Sequence, residues 1–212
     1  MIVRSFKSHQ LLNSLKYTYE NKDILSFTQL IRNSKESIKV NKPSKEYIKT
    51  LVSTKGTSWD PNVYVDVVNS LYLVEEPVGH YYKELHNKTH LLDSISFVKL
   101  VHLISKQPKD SESLLKLLEP RVEPSLEELS RTPHSFGVAL GSLIQLKTKS
   151  LKPKKVIELV REVKWSLLPK HTIKILSYSS GSFQEALLEE LLPLIKFYVK
   201  HNLLISEDFI RN

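Results

Sequence analysis

His80, Glu84, His86 and His90 form the densest group of potentially reactive side chains in this chain of 212 residues. Two histidines four apart share one face of a helix, and such a pair can hold a metal ion. Here Asn87-Lys88-Thr89 separates His86 from His90 and reads as a loop, and no Glu stands where an HExxH zinc site needs one. Surface histidines at a helix end are the simpler reading. Lys55-Gly56-Thr57-Ser58 has the letters of a phosphate loop in the wrong order, with no earlier Gly at the required spacing. Ser, His and Asp all occur, but without a G-x-S-x-G elbow. The acidic pairs Glu75/Glu76, Glu127/Glu128 and Glu189/Glu190 are sequence neighbours. Neighbours on a helix do not face each other, so these pairs read as solvated faces. No catalytic, cofactor or metal residue is assigned, and the expectation is a protein that is not an enzyme.

Lysine carries the chemistry that remains. Lys147, Lys149, Lys152, Lys154 and Lys155 fall in and just after a loop between two expected helices, with Lys164 and Lys170 downstream. Lys39, Lys42, Lys45 and Lys49 form a second group, preceded by Lys35. Ammonium groups in a row neutralise phosphates and release their counterions. These nine lysines, 147 to 155 and 39 to 49, are therefore the candidate RNA-binding residues; the alternative is that both groups only solubilise loops. A net charge of +8 and a pI near 9.4 favour a polyanionic partner. Lys greatly outnumbers Arg, however, and abundant Lys, Asn, Ser, Ile and Tyr also fit the composition of AT-rich coding sequence. Trp59, Trp165, Tyr81 and Tyr82 have rings able to stack on bases, but Trp165 lies between two repeats and is expected in the core.

Helices must position these lysines. Gly is scarce, at 5 residues, which disfavours a turn-rich β fold, and the dominant Leu, Lys and Glu are good helix formers. Cys is absent, which removes disulfides, cysteine-ligated zinc or iron–sulfur sites and a Cys nucleophile. No run approaches the roughly 20 apolar residues of a membrane span. Residues 1–19 carry Arg4, Lys7 and Lys16 and no acid, with apolar Ile2, Val3, Phe6, Leu11, Leu12 and Leu15. This composition fits a mitochondrial targeting segment or a basic N-terminal helix of the fold.

Thr132 to Asn202 shows the organisation most clearly. Pro133 opens a helix, Lys152-Pro153 leads into a second, and Pro169 starts the plan again about 36 residues later. Paired helices at such a period are the mark of an α-solenoid. Asp60-Pro61 is another helix start, with Asp as cap and Pro in the first turn. Pro77 and Pro108 close helices in equivalent positions. Units are expected to begin near Asp60, Leu92, Pro133 and Pro169. Ser34 to Lys42 reads as a polar connector, Tyr81, Tyr82 and Leu85 as the start of an α-helix, and Pro120 and Pro124 as brackets of a short connector. The resulting division is an N-terminal helical cap over 1–58, a repeat array over 59–202 and a closing segment over 203–212. The expected fold is all-α, a short α-solenoid of helix–turn–helix repeats with about nine or ten helices.

The first helix of the later unit has small and apolar residues, Val138-Ala139-Leu140-Gly141-Ser142-Leu143, and the last helix reads Leu187-Leu188-Glu189-Glu190-Leu191-Leu192. This pattern resembles heptatricopeptide or octotricopeptide-like repeats, and is similar to the helical repeats of FAST kinase-like and RAP-domain proteins of mitochondria and plastids. The resemblance covers roughly Asp60 to Asn202. The pentatricopeptide pattern fits less well, since its base-reading Asn and Asp pairs are not evident, and no RAP-like domain follows the last repeat. The resemblance implies a role in organellar RNA metabolism or in mitochondrial ribosomes. The expected function is a non-catalytic helical-repeat subunit of a mitochondrial ribonucleoprotein, such as the mitoribosome, with RNA and neighbouring protein subunits as partners. The alternative is a structural subunit of another mitochondrial complex, respiratory or ATP synthase, with protein contacts only.

Overall fold

Polar side chains placed just before an apolar stripe start four of the helices of this chain, and proline starts three more. In the computed structural model, which describes residues 2–20, 23–109 and 111–203 (side chains of 2–8 and 57 excepted), no strand occurs among the described residues. They form eleven α-helices: α1 (Ile2–Glu20), α2 (Ile24–Asn33), α3 (Lys35–Val40), α4 (Lys42–Lys55), α5 (Pro61–Leu73), α6 (Ser94–Lys106), α7 (Glu112–Leu129), α8 (Pro133–Gln145), α9 (Pro153–Val163), α10 (Pro169–Tyr178) and α11 (Gly181–Lys200). The Asp60 carboxylate accepts from the Asn62 N–H at 2.9 Å and the Val63 N–H at 3.4 Å, and so satisfies donors that the first turn of α5 leaves open. Asp23, Asn41 and Asp93 cap α2, α4 and α6 in the same way. Pro opens α8, α9 and α10, where its missing N–H has no intrahelical partner to lose.

The chain divides into two compact units, Met1–Leu114 and Leu115–Asn212. In the first, α2 packs on α5, α5 on α6, and α1 on both α2 and α4. Leu15, Phe27, Ile31, Val67, Phe97 and Leu100 are among its fully buried side chains. Polar groups fix the register of these helices. Asp66 of α5 pairs with Arg32 of α2 at 3.4 Å and with Lys99 of α6. The Tyr64 hydroxyl donates to the Tyr81 carbonyl at 3.1 Å, and the Asn62 side-chain oxygen accepts from the Asp93 N–H at 2.8 Å.

In the second unit, α8 packs on α10, α9 on α11, and α10 on α11. The seam between α8 and α10 needs two glycines. A Cβ on Gly137 would sit 2.7 Å from the His171 ring, and one on Gly141 would sit 3.0 Å from Lys174 Cδ. The small residues of α8 thus let the two backbones approach, and Lys174 Nζ closes the seam by donating to Ser142 Oγ at 3.0 Å. His171 is 4% exposed, and among the described residues neither of its ring nitrogens has a hydrogen-bond partner. The exposed His134 ring stands 4.8 Å away. Burial, then the nearby His134, Lys170 and Lys174, push the His171 imidazole down to about 4.

Four expectations are corrected. Ser34 to Lys42 is not a plain connector, because Lys35–Val40 forms the short helix α3 around buried Ile38. Tyr81, Tyr82 and Leu85 lie in a 3-10 segment, Gly79–Leu85, rather than an α-helix. Pro120 and Pro124 lie inside the continuous helix α7. Both prolines are exposed, so the carbonyls they leave without an N–H partner are on the solvent side, while Leu118, Val122, Leu126 and Leu129 form the buried face. Trp165 is 61% exposed instead of buried.

Candidate nucleic-acid interface

The group from Lys147 to Lys155 is positioned by the end of α8 and the start of α9. α8 ends because Lys147 adopts a positive φ of 53°, the left-handed turn that follows many helices. The Lys147 N–H donates to the Ile144 carbonyl at 2.9 Å, and the Thr148 N–H to the Leu143 carbonyl at 3.2 Å. The Thr148 hydroxyl donates to the same Leu143 oxygen at 3.0 Å. Lys147 and Lys149 flank the buried Thr148 and are themselves exposed. The chain then enters α9 at Lys152-Pro153.

α9 begins as α8, α10 and α11 do, and differs from them in the lysines gathered there. Its N-terminal N–H groups receive no side-chain cap, and its first turn contains no acid. Lys152 stands at the cap position with Lys154 and Lys155 in the turn that follows. Cations at this end oppose the helix dipole, which favours negative charge there. The arrangement leaves backbone N–H donors and lysine side chains around one place, and both attract anions. No Asp or Glu occurs between residues 129 and 157.

α7 neutralises part of this group. Lys152 Nζ lies 2.6 Å from Glu123, and Lys155 Nζ lies 2.8 Å from Glu127. The Glu127 carboxylate raises the Lys155 ammonium above its ordinary pKa. Among the described residues, Lys147, Lys149 and Lys154 have no carboxylate partner, and all three are exposed. They are the cations left to meet an external anion.

The other group is built differently. Lys39 pairs with Glu75 at 2.9 Å and Glu36 at 3.3 Å. Lys45 pairs with Glu76 at 2.7 Å, and Lys49 with Glu46 at 3.3 Å and Glu76 at 3.4 Å. The Glu75 carboxylate raises the Lys39 ammonium, and Glu46 followed by Glu76 raises that of Lys49. Lys42, exposed at the start of α4, is the member of this group without such a pair among the described residues. Three of the four lysines along this segment thus become a largely neutral ion-pair network. The acidic pair Glu75/Glu76, read from sequence as a solvated face, supplies its anions. Glu75 can do so because it turns back with a φ of 65° just after α5.

The aromatic candidates also separate. Trp59 is half-buried, with Tyr19 at 6.2 Å and Tyr64 at 6.5 Å between ring centroids. Tyr81 and Tyr82 are buried. Trp165 meets Phe197 edge to face at 6.4 Å, and Phe197 meets His201 at 4.4 Å. Of the four rings, Trp165 alone is exposed enough to stack on a base. Its exposure has a sequence signal: Arg161 precedes it by four positions and Pro169 follows by four, so no apolar stripe passes through it.

His86 follows the 3-10 segment, and its ring lies 2.7 Å from the Ser113 hydroxyl and 3.0 Å from the Lys83 carbonyl. Among the described residues no group of three or more His, Cys, Asp or Glu is placed to hold a metal ion. No helix among them is long and apolar enough to cross a membrane. No family model, curated protein or solved structure matches the chain.

Proposed function

We propose that the chain is a non-catalytic helical-repeat subunit of a ribonucleoprotein, holding RNA phosphates at the loop between α8 and α9. The observation that carries this reading is the uncapped start of α9 beside Lys147, Lys149 and Lys154, cations without a carboxylate partner among the described residues. Lys152 and Lys155 stand next to them and exchange a carboxylate for a phosphate at little cost, because exposed ion pairs contribute at most about 1 kcal/mol. Exposed Trp165 adds a ring on which an unstacked base can rest. The solenoid reading is supported by the packing of α8 on α10 and α9 on α11, each helix against its counterpart one repeat later.

Placement in a mitochondrial ribonucleoprotein, with the mitoribosome as the leading case, rests on the resemblance of the repeats and on the acid-free basic segment 1–19. Isolation of the tagged full chain from its own cells tests it. The proposal expects co-purifying RNA that nuclease removes, together with ribosomal proteins. A complex whose composition nuclease leaves unchanged contradicts it. That outcome would favour a structural subunit of another mitochondrial complex with protein contacts only, a reading supported by the five of nine candidate lysines already paired with carboxylates.

A further inference from the structure

α11 has two apolar faces, and among the described residues only one is covered. Leu187, Leu191, Leu194 and Tyr198 are buried in the second unit. A second stripe runs through Leu188, Leu192, Ile195 and Val199, with steps of four, three and four residues. That is the heptad spacing of a coiled-coil seam. Leu188 is 44% exposed, Leu192 41% and Val199 59%. Among the described residues no neighbour covers this stripe, whose spacing is patterned for one.

The charges beside the stripe indicate which neighbour. Glu185 and Glu189 lie along its N-terminal half, and Lys196 and Lys200 along its C-terminal half. All four are exposed, and among the described residues none has an ion-pair partner. Within one helix this arrangement is unfavourable, because Glu185/Glu189 and Lys196/Lys200 are like-charge pairs four residues apart. A second α11 laid antiparallel reverses that. With the two-fold axis between residues 192 and 193, Glu185 comes level with Lys200 of the second copy and Glu189 with Lys196. The same register puts Leu192 against its own counterpart and lets Leu188 enter between Ile195 and Val199 of the second copy. One axis satisfies both the charges and the apolar stripe.

We infer that α11 is a homodimerisation helix, and that two copies of this chain associate through an antiparallel α11 pair. The interface is isologous, each copy offering the same self-complementary stripe. It leaves Trp165 on the other flank of the helix, where Phe197 contacts it.

The test is the mass of the full chain by sedimentation equilibrium, with two charge variants. The wild type is expected to sediment at twice its 24.5 kDa chain mass. E185K/E189K makes the border of the stripe wholly basic and K196E/K200E makes it wholly acidic. Each alone is expected to weaken self-association at least about tenfold. Mixed in equal amounts, the two are expected to recover wild-type affinity as a heterodimer. Leu192→Glu, at an exposed position, is expected to give a folded monomer. A wild type that stays monomeric up to its solubility limit overturns the inference. So does a dimer that either charge variant leaves intact, or a mixture that fails to associate.

Discussion

Lys39, Lys45 and Lys49 in the first unit and Lys147, Lys149 and Lys154 in the second are the same residue type at similar spacing, yet they end in opposite electrostatic states. The first three are neutralised by carboxylates from the chain end beyond α5 and from their own helices. The last three face solvent beside a helix start that has no cap of its own. The difference shows that a row of lysines in a sequence measures potential for binding anions. What remains available depends on acids that folding brings in, here Glu75 and Glu76 from about 30 residues away.

The two regions should respond differently to acid. In the second unit, buried His171 refuses a proton that the unfolded chain accepts below pH 6.5, so stability falls as pH drops from 6.5 toward about 4 and levels off below that. The loss is roughly 2 kcal/mol by pH 5 and about 3 kcal/mol in full. In the first unit, the hydrogen bond from Lys39 holds the Glu75 carboxyl below its ordinary value. Burial pulls Glu76 upward, but Lys45 and Lys49 outweigh it and the net shift is also downward. These pairs therefore still contribute most of their stability at pH 5 and lose it as pH falls from the ordinary glutamate value through the lowered one. Urea titrations at pH 7.5 and pH 5 check this ordering. His171→Leu, which removes two buried polar atoms without partners, is expected to abolish most of the loss between those pH values. A variant as acid-sensitive as the wild type would refute the assignment.

A smaller effect is expected from Glu76→Gln. Its carboxylate is largely shielded and serves both Lys45 and Lys49, so its removal should cost about 1–2 kcal/mol in urea denaturation. Smaller again is the effect of Glu123→Gln with Glu127→Gln, which touches exposed pairs and should stay within about 0.5 kcal/mol of the wild type. The same double variant frees Lys152 and Lys155, and RNA affinity measured by anisotropy should rise. An unchanged affinity would mean that these two lysines do not reach the RNA.

Much of the fold is legible in the sequence because caps are local. Asp60-Pro61, Asp93 and Pro169 mark helix starts through contacts within two or three residues of themselves. The misses have non-local causes. α7 runs through Pro120 and Pro124 because both fall on its solvent side, and a string of letters does not show which side that is. Tyr81 and Tyr82 sit in a 3-10 segment held by distant groups: Gln107 receives the Val78 N–H at 2.7 Å and the Tyr82 hydroxyl at 3.3 Å. The candidate site is half legible. The position of Lys147 to Lys155 in and just after an inter-helix loop follows from helix periodicity and Pro153, whereas the pairing of Lys152 with Glu123 and of Lys155 with Glu127 required the neighbouring helix.

The central claim is that Lys147, Lys149 and Lys154 are the cations that meet phosphate. It is tested most directly by anisotropy titrations of a single-stranded RNA at increasing salt, with the wild type and K147A/K149A/K154A. The three side chains are exposed, so the variant should keep wild-type stability within about 0.5 kcal/mol. Its plot of log affinity against log salt should be shallower by about 2, the effect of three phosphate contacts on a single strand. A variant with the same slope and affinity as the wild type, or a wild type whose binding ignores salt, would contradict the account.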